Sequence, residues 1–389
     1  MNISIPKLIE KIYILCLTAQ VFVCLWNPIY DGIFMQIAVY TIHIGVLAGG
    51  AIVLWVRANK KEILPIVLLL ACCVITSAIS DCMNYETFVS IACFLETILV
   101  IRMASYVGNR IKSLSIVYLL IVATIVCYVY QYALNLESNY STYFLGLNKN
   151  YSGMQLLLTF SACLAVMVNE HGWKRILFAI CAMILGMFLW ISRCRTAQII
   201  FLIEMLFFFW RPPFLTEKKM ILVTLLIPLM MAVLVLAIPA LQEVILIGHK
   251  KTVLNGRELL YMDRMMRIVK DPIWGNLSID GFSNAHNGPL AIMASIGLVG
   301  YLVWFVSFYW TIDDVRREVH TVRKSSQSLG YVFLLCCMLN ACTEAAFYVQ
   351  GQQIAVMISL LVLISQYYGK NGGQYRSRIT MKWGNYRFR

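Results

Sequence analysis

Three short stretches hold the side chains best suited to chemistry. Ser192-Arg193-Cys194-Arg195-Thr196 is a tight polar tip between two apolar runs. From Asn255 the chain reads NGRELLYMDRMMRIVKDPIWG, and at 100° per residue Arg257, Arg264 and Arg267 fall within an arc of about 80°. Ser283-Asn284-Ala285-His286-Asn287-Gly288-Pro289 then leads straight into an apolar stretch carrying Gly297 and Gly300. Arginine suits a diphosphate, because its planar fork donates bidentately and never loses its charge. A histidine at the mouth of a helix suits proton abstraction from a hydroxyl. Plainer readings stand beside these. The arginines either hold an anionic ligand or reach to lipid phosphates. His286 is either a base or the residue satisfying a helix start, and the Gly297/Gly300 pair reads as close helix packing.

The elements that must position these residues follow from composition. A chain of 389 residues would ordinarily make two or three soluble domains. Here 60% of the residues are hydrophobic and only 13% charged, against about a quarter in ordinary soluble domains. Too few charges remain to cover a soluble globule. The fold class expected is all-α: a polytopic membrane protein with about 12 transmembrane helices. Candidate spans lie near 8–29, 33–56, 63–80, 85–104, 114–133, 151–168, 176–191, 196–210, 220–240, 289–310, 327–346 and 351–368. Residues 1–389 read as one integral membrane domain, and no cleavable signal peptide is expected.

With a cytoplasmic N-terminus, 23 of the 32 basic residues fall on the inner side. Both termini are then cytoplasmic, and 369–389 forms a basic cytoplasmic tail. The formal charge of +13 is therefore a topology signal facing anionic lipid, and no nucleic-acid partner is expected. Nine basic residues remain outside: Lys149, Arg193, Arg195, Lys250, Lys251, Arg257, Arg264, Arg267 and Lys270. Six of them lie in 241–288, the one large extracytoplasmic loop. Within it, Asn255 and Glu258 form a capping-box pattern, and Pro272 closes an amphipathic helix near 256–270 able to lie on the membrane surface.

Neither cysteines nor acids suggest a cofactor. Most of the 13 cysteines fall inside spans, none falls in the large loop, and no CxxC pair occurs. They read as small packing residues. The loop acids Glu243, Glu258, Asp263, Asp271 and Asp280 are scattered, so no metal is expected, and Glu258 and Asp263 read as partners for neighbouring arginines. Among intramembrane polar residues, His43 and Glu204 read as interhelical hydrogen-bond partners, with Glu96 a further candidate and Glu344 a candidate sugar contact. Tyr128, Tyr130, Tyr132, Tyr140 and Tyr143 read as an aromatic belt at the outer interface.

His286-Asn287, nine residues and then Gly297-x-x-Gly300 resembles the signature of the bacterial O-antigen ligase and polymerase superfamily. Ser192-Arg193 at an outer tip, Arg257 opening the large loop and Pro272-Ile-Trp-Gly275 before the histidine are similar too. The resemblance covers roughly 145–345. It implies a multi-pass glycosyltransferase of the bacterial inner (plasma) membrane, working at its periplasmic, extracytoplasmic face on undecaprenyl-diphosphate-linked oligosaccharide. His286 would be the base. Arg193, Arg195, Arg257 and Arg264 would bind diphosphate, the two arginines at the tip leaving open which of them does so. Asn287, Gly297, Gly300 and Glu344 would support the site. No cofactor is implied; membrane lipids and a chain-length regulator protein are the further partners. A polymerase joining repeat units is the preferred expectation and a ligase onto lipid A core its nearest rival. A flippase or transporter would instead show internal repeats and helices broken at mid-membrane.

Overall fold

The computed structural model describes residues 33–57, 60–108, 114–134, 143–144, 147–209, 257–277 and 287–320, with 8–9, 11–16 and 19–20 near the start. The expected spans 220–240, 327–346 and 351–368, the basic tail, His286 and Glu344 lie outside the described residues.

The described chain is almost wholly helical: α1 (Ile33–Arg57), α2 (Lys60–Ile79), α3 (Tyr85–Gly108), α4 (Ser115–Ala133), α5 (Lys149–Asn169), α6 (Trp173–Ile191), α7 (Arg195–Phe209), α8 (Arg257–Lys270) and α9 (Gly288–His320). Each of α1 to α7 falls on an expected apolar span. One small departure from an all-α chain precedes α5, where β1 (Tyr143–Phe144) pairs antiparallel with β2 (Leu147–Asn148). Helices 173–191 and 288–307 are long and apolar enough to cross a membrane, and 40–56, 63–79, 87–100, 117–133 and 152–167 are shorter apolar stretches.

The chain forms two compact units. Among the described residues the first takes the chain up to 103 together with 257–310, and the second takes 104–209 with 311–320.

In the second unit α5 is buried on every side from Ser152 to Val166. A helix that is apolar all round belongs at the centre of its bundle, and α4, α6 and α7 all pack on α5. Several of its polar groups bond to neighbouring helices. The Tyr128 hydroxyl donates to Gln155 Oε1 at 2.9 Å, and the Ser161 hydroxyl donates to Glu204 Oε2 at 2.7 Å. Glu204 is thus an interhelical partner, as its sequence context suggests. Tyr128 is not part of an aromatic belt: it is buried beside Phe188, while Tyr130 and Tyr132 on the same helix are exposed.

Helix α6 is apolar on both its buried and its exposed side. One side, Phe178, Cys181, Ala182, Leu185, Phe188 and Leu189, is buried. The other is just as apolar but exposed, through Ile176, Ile180, Met183 and Met187, with Trp173 and Trp190 exposed at its two ends. In water such a stripe would be an aggregation liability. Facing lipid, with indoles at both interfaces, it is what a span requires.

In the first unit the helical residues 11–16 lie against α1, with Tyr13 over Gly49 and Gly50 and Cys16 over Gly45. The core includes Leu69, Phe94, Ile292, Ile296, Tyr301 and Trp304. Helix α9 extends ten residues past the expected end of its span and is not continuous. Ile296 (φ −120°, ψ 16°) and Gly297 (φ 68°, ψ −177°) break it within its apolar stretch.

Candidate functional site

The tip of the second unit is built by alternation. Helix α6 ends at Ile191 and α7 begins at Arg195. Ser192 and Cys194 turn inward and are buried; Arg193 and Arg195 turn outward and are exposed. The Ser192 hydroxyl donates to Leu189 O at 2.6 Å, and Cys194 N donates to Ser192 Oγ at 3.3 Å. The Gln198 side-chain amide closes the turn by donating to Trp190 O at 2.8 Å. Cys194 fits a notch left by Gly153 on α5, where a Cβ would stand 2.7 Å from its sulfur. Its thiol points to Asn150 Oδ1 at 3.8 Å. That contact sets Lys149, the neighbour of Asn150, at the same end of the unit as the two arginines.

Arg193 sits at φ 53°, the left-handed region that a side chain ordinarily avoids. Such a conformation costs on the order of 1–3 kcal/mol and persists where the surroundings fix it. Here the buried serine and cysteine on either side do so. The arrangement presents two permanent cations on a turn anchored from behind.

In the first unit, α8 forms where the capping pattern and amphipathic period place a helix. Its inward face is Arg264, Met265 and Ile268; Leu259, Asp263 and Met266 are exposed. Arg264, expected as a diphosphate ligand or as an interfacial anchor on lipid phosphate, has a side chain only 6% exposed, on the buried face of the helix. Asp263 lies 3.2 Å from Arg267 Nε and 3.9 Å from Arg264 Nε, pairing with neighbouring arginines as expected. Arg257 opens the helix.

After α8, Pro272-Ile273-Trp274-Gly275 docks into the break of α9. Leu298 N donates to Pro272 O at 2.9 Å, Val299 N to Ile273 O at 3.3 Å, and Asn276 N to Ala294 O at 2.9 Å. The loop thus supplies partners for backbone groups that the broken helix releases, which apolar surroundings would otherwise leave costly. The Thr76 hydroxyl of α2 donates to Trp274 O at 2.7 Å and holds the loop from its other side. Gly275 (φ 73°) and Gly297 (φ 68°) face each other backbone to backbone. A Cβ on Gly275 would lie 2.7 Å from Ser295 C, and one on Gly297 2.6 Å from Trp274 C. Only glycine fits either place. Ile296, turned out of helical geometry, folds over Gly300, where a Cβ would meet its Cδ1 at 2.6 Å. Gly297 is thus the socket for the loop, and Gly300 makes room for the Ile296 side chain.

Asn287 begins the same helix. Its Oδ1 accepts from Leu290 N at 3.1 Å and its carbonyl oxygen from Ala291 N at 3.0 Å, an N-cap with Pro289 in the first turn. The residue before it, His286, and the candidate sugar contact Glu344 are outside the described residues. Among the described residues no group of three or more His, Cys, Asp or Glu side chains is placed to hold a metal.

The structure therefore gathers Asn287, Gly297, Gly300, the Pro272–Gly275 loop and Arg264 in the first unit, and Arg193 and Arg195 in the second. Sequence reasoning overlooked Thr76, Asn150 and Gly153. The polar run Asn148-Lys149-Asn150 before an apolar span was the one available signal for the second of these. No protein-family model matches the chain, and no curated protein matches it.

Proposed function

We propose that the chain is a polytopic membrane glycosyltransferase. It moves a glycan from undecaprenyl diphosphate to a sugar hydroxyl of another lipid-linked repeat unit at the outer face of the bacterial plasma membrane. One observation carries the reading. Pro272-x-x-Gly275 and Gly297-x-x-Gly300, two pieces of the motif resemblance 22 residues apart in sequence, are the two halves of one interlock. That interlock ties the end of α8 to α9, whose start Asn287 caps. Elements shared with a family of enzymes thus have a common physical task, holding the segment next to His286.

In the proposed reaction His286 takes the proton of the acceptor hydroxyl as its oxygen attacks the anomeric carbon. The bond from that carbon to the diphosphate oxygen breaks, and the added negative charge leaves on undecaprenyl diphosphate. Configuration inverts, and no metal is required. Arg193, Arg195 and Arg257 are the diphosphate ligands, since fixed guanidinium groups stabilise charge developing on a leaving group. Arg264, held inside the first unit, is a buried cation on the helix that Arg257 opens. A general base of this kind supplies about 10²–10⁴-fold.

The exposed apolar face of α6 between Trp173 and Trp190 supports the membrane setting. A second reading, a transporter, is favoured by one feature, the break of α9 inside its apolar stretch. In transporters such breaks free helix ends for a substrate. Here Pro272, Ile273 and Asn276 of the chain itself use three of the released groups, which supports a scaffold instead.

A deletion strain separates the readings. Lipid A core capped with a single repeat unit is the expected result. Long chains stranded on undecaprenyl diphosphate would make the protein a ligase, and unchanged surface glycan with altered solute uptake would make it a transporter.

A further inference from the structure

Gln20, His43 and Glu96 come from three separate segments of the first unit and meet inside it. Gln20 and Glu96 are buried, and the His43 side chain is 23% exposed. His43 and Glu96 lie near the middle of α1 and α3, apolar helices of 25 and 24 residues. The proposed glycan chemistry uses none of the three. Gln20 Nε2 donates to Glu96 Oε1 at 2.7 Å and approaches His43 Nδ1 at 2.9 Å. His43 Nδ1 in turn lies 3.0 Å from each Glu96 oxygen.

These contacts cannot all be hydrogen bonds at one time. An imidazole nitrogen donates when it carries a proton and accepts when it does not. As a donor, Nδ1 satisfies Glu96 and aims its proton at the protons of the Gln20 amide. As an acceptor, it satisfies Gln20 and sets a lone pair against Glu96, unless that carboxyl holds the proton. Which contacts are bonds therefore depends on where the proton is. Two further buried polar atoms, Gln20 Oε1 and the Tyr13 hydroxyl, have no hydrogen-bond partner among the described residues. Tyr13 is fully buried and within electrostatic reach of Glu96. A tie serving only to hold helices together would close these valences. Turning the Gln20 amide over offers Oε1 to a protonated His43 or a protonated Glu96, so the amide follows the proton count.

The geometry points to a proton-binding site in the helical core of the first unit. Gln20, His43 and Glu96 hold one proton between imidazole and carboxyl and bind a second as the pH falls. The groups around it are Tyr13 and Cys16 from the N-terminal segment, and α3 also carries Cys93 and Arg102 in its sequence. Helix α2, packed on α1, carries its charges, Lys60, Lys61 and Glu62, only in its first turn, and its thiols at Cys72 and Cys73. The site stands independently of the glycan reading and shares no residue with it.

Infrared difference spectroscopy on the full-length protein in phosphatidylcholine vesicles tests this, titrated between about pH 5 and 8, where an imidazole changes charge. A carboxylic-acid carbonyl band and an imidazole band with one common midpoint are expected. Glu96→Gln removes the carbonyl band, and His43→Gln removes the imidazole band and displaces the carbonyl band. Gln20→Leu keeps both groups and shifts their common midpoint. Glu204→Gln, in the other unit, leaves the pair untouched. Absence of a co-titrating pair in the unsubstituted protein overturns the site, as does its persistence in Glu96→Gln. Should that variant fail to fold, an unmoved midpoint in Gln20→Leu overturns it instead. Loss of both bands on replacing potassium by sodium would make the ligand a metal cation and overturn the proton.

Discussion

At the tip of the second unit Arg193 and Arg195 are exposed while Ser192 before them and Cys194 between them are buried. On α8 of the first unit the order is reversed: Arg264 and Met265 are buried, and Asp263 before them and Met266 after them are exposed. Charge counting treats all three arginines alike, as cations on the wrong side of a membrane. Burial separates them. The tip arginines are exposed on a turn fixed by the buried Ser192 and Cys194. Arg264 contributes its aliphatic stem to packing and has the Asp263 carboxylate of its own helix nearby. One region offers charge outward; the other builds charge into the frame. Substitutions in each should therefore fail in different ways.

The largest effect is expected in the frame. Gly297→Val demands a left-handed β-branched residue and drives its side chain into the Ile273–Trp274 backbone. A loss of 4 kcal/mol or more, on the order seen when backbone strain and overpacking combine, should leave little folded protein. Detergent-solubilised yield and size-exclusion profile measure this. A Gly297→Val protein that folds normally would show that loop and break are not interlocked.

Next comes the contrast between the arginines themselves. Arg264→Ala removes a buried side chain and should cost about 2–4 kcal/mol, as large-to-small core changes do. Arg193→Ala, at an exposed position, should leave thermal unfolding within about 0.5 kcal/mol of the parent and yet abolish polymer. Equal stability of the two variants would erase the distinction between frame and ligand. Asn287→Ala is smaller again. Losing the cap on α9 should cost about 1 kcal/mol, and Asn287→Ser or Asn287→Asp should restore most of it. If neither restores polymer length while both restore stability, Asn287 has a role in the chemistry beyond capping.

The helices were legible because an apolar run of about 20 residues has few alternatives in a chain this poor in charge. Helix α1 was expected at 33–56 and is observed at Ile33–Arg57. The tip was legible as a hairpin, since two spans need a turn between them. The helical phase was not. In a lipid-facing chain the buried and exposed sides of a helix are equally apolar, so periodicity alone did not say that Arg264 turns inward or that Tyr128 leaves the belt. The loop-in-helix interlock was also hidden. Its bonds are backbone to backbone and leave no side-chain pattern except glycine, and two glycines three residues apart read more readily as helix packing. For His43 the sequence suggested an interhelical partner, but not that Gln20 and Glu96 would compete for one nitrogen.

Arg193→Gly is the subtlest test, because two small terms oppose each other. Removing the side chain relieves a left-handed conformation worth about 1–2 kcal/mol. The freedom that glycine gains in the unfolded chain returns roughly 0.4–1 kcal/mol of that. Stability should therefore change by between about 0 and 1.6 kcal/mol, in the favourable direction, while the guanidinium is lost. Polymer should disappear from a protein at least as stable as its parent. Arg193→Lys should keep the strain and the charge but lose the planar fork, and restore polymer only in part. Full activity in Arg193→Gly would transfer the ligand role to Arg195, exposed two residues on. Full activity in Arg193→Lys would mean that charge alone, without bidentate geometry, is what the tip supplies.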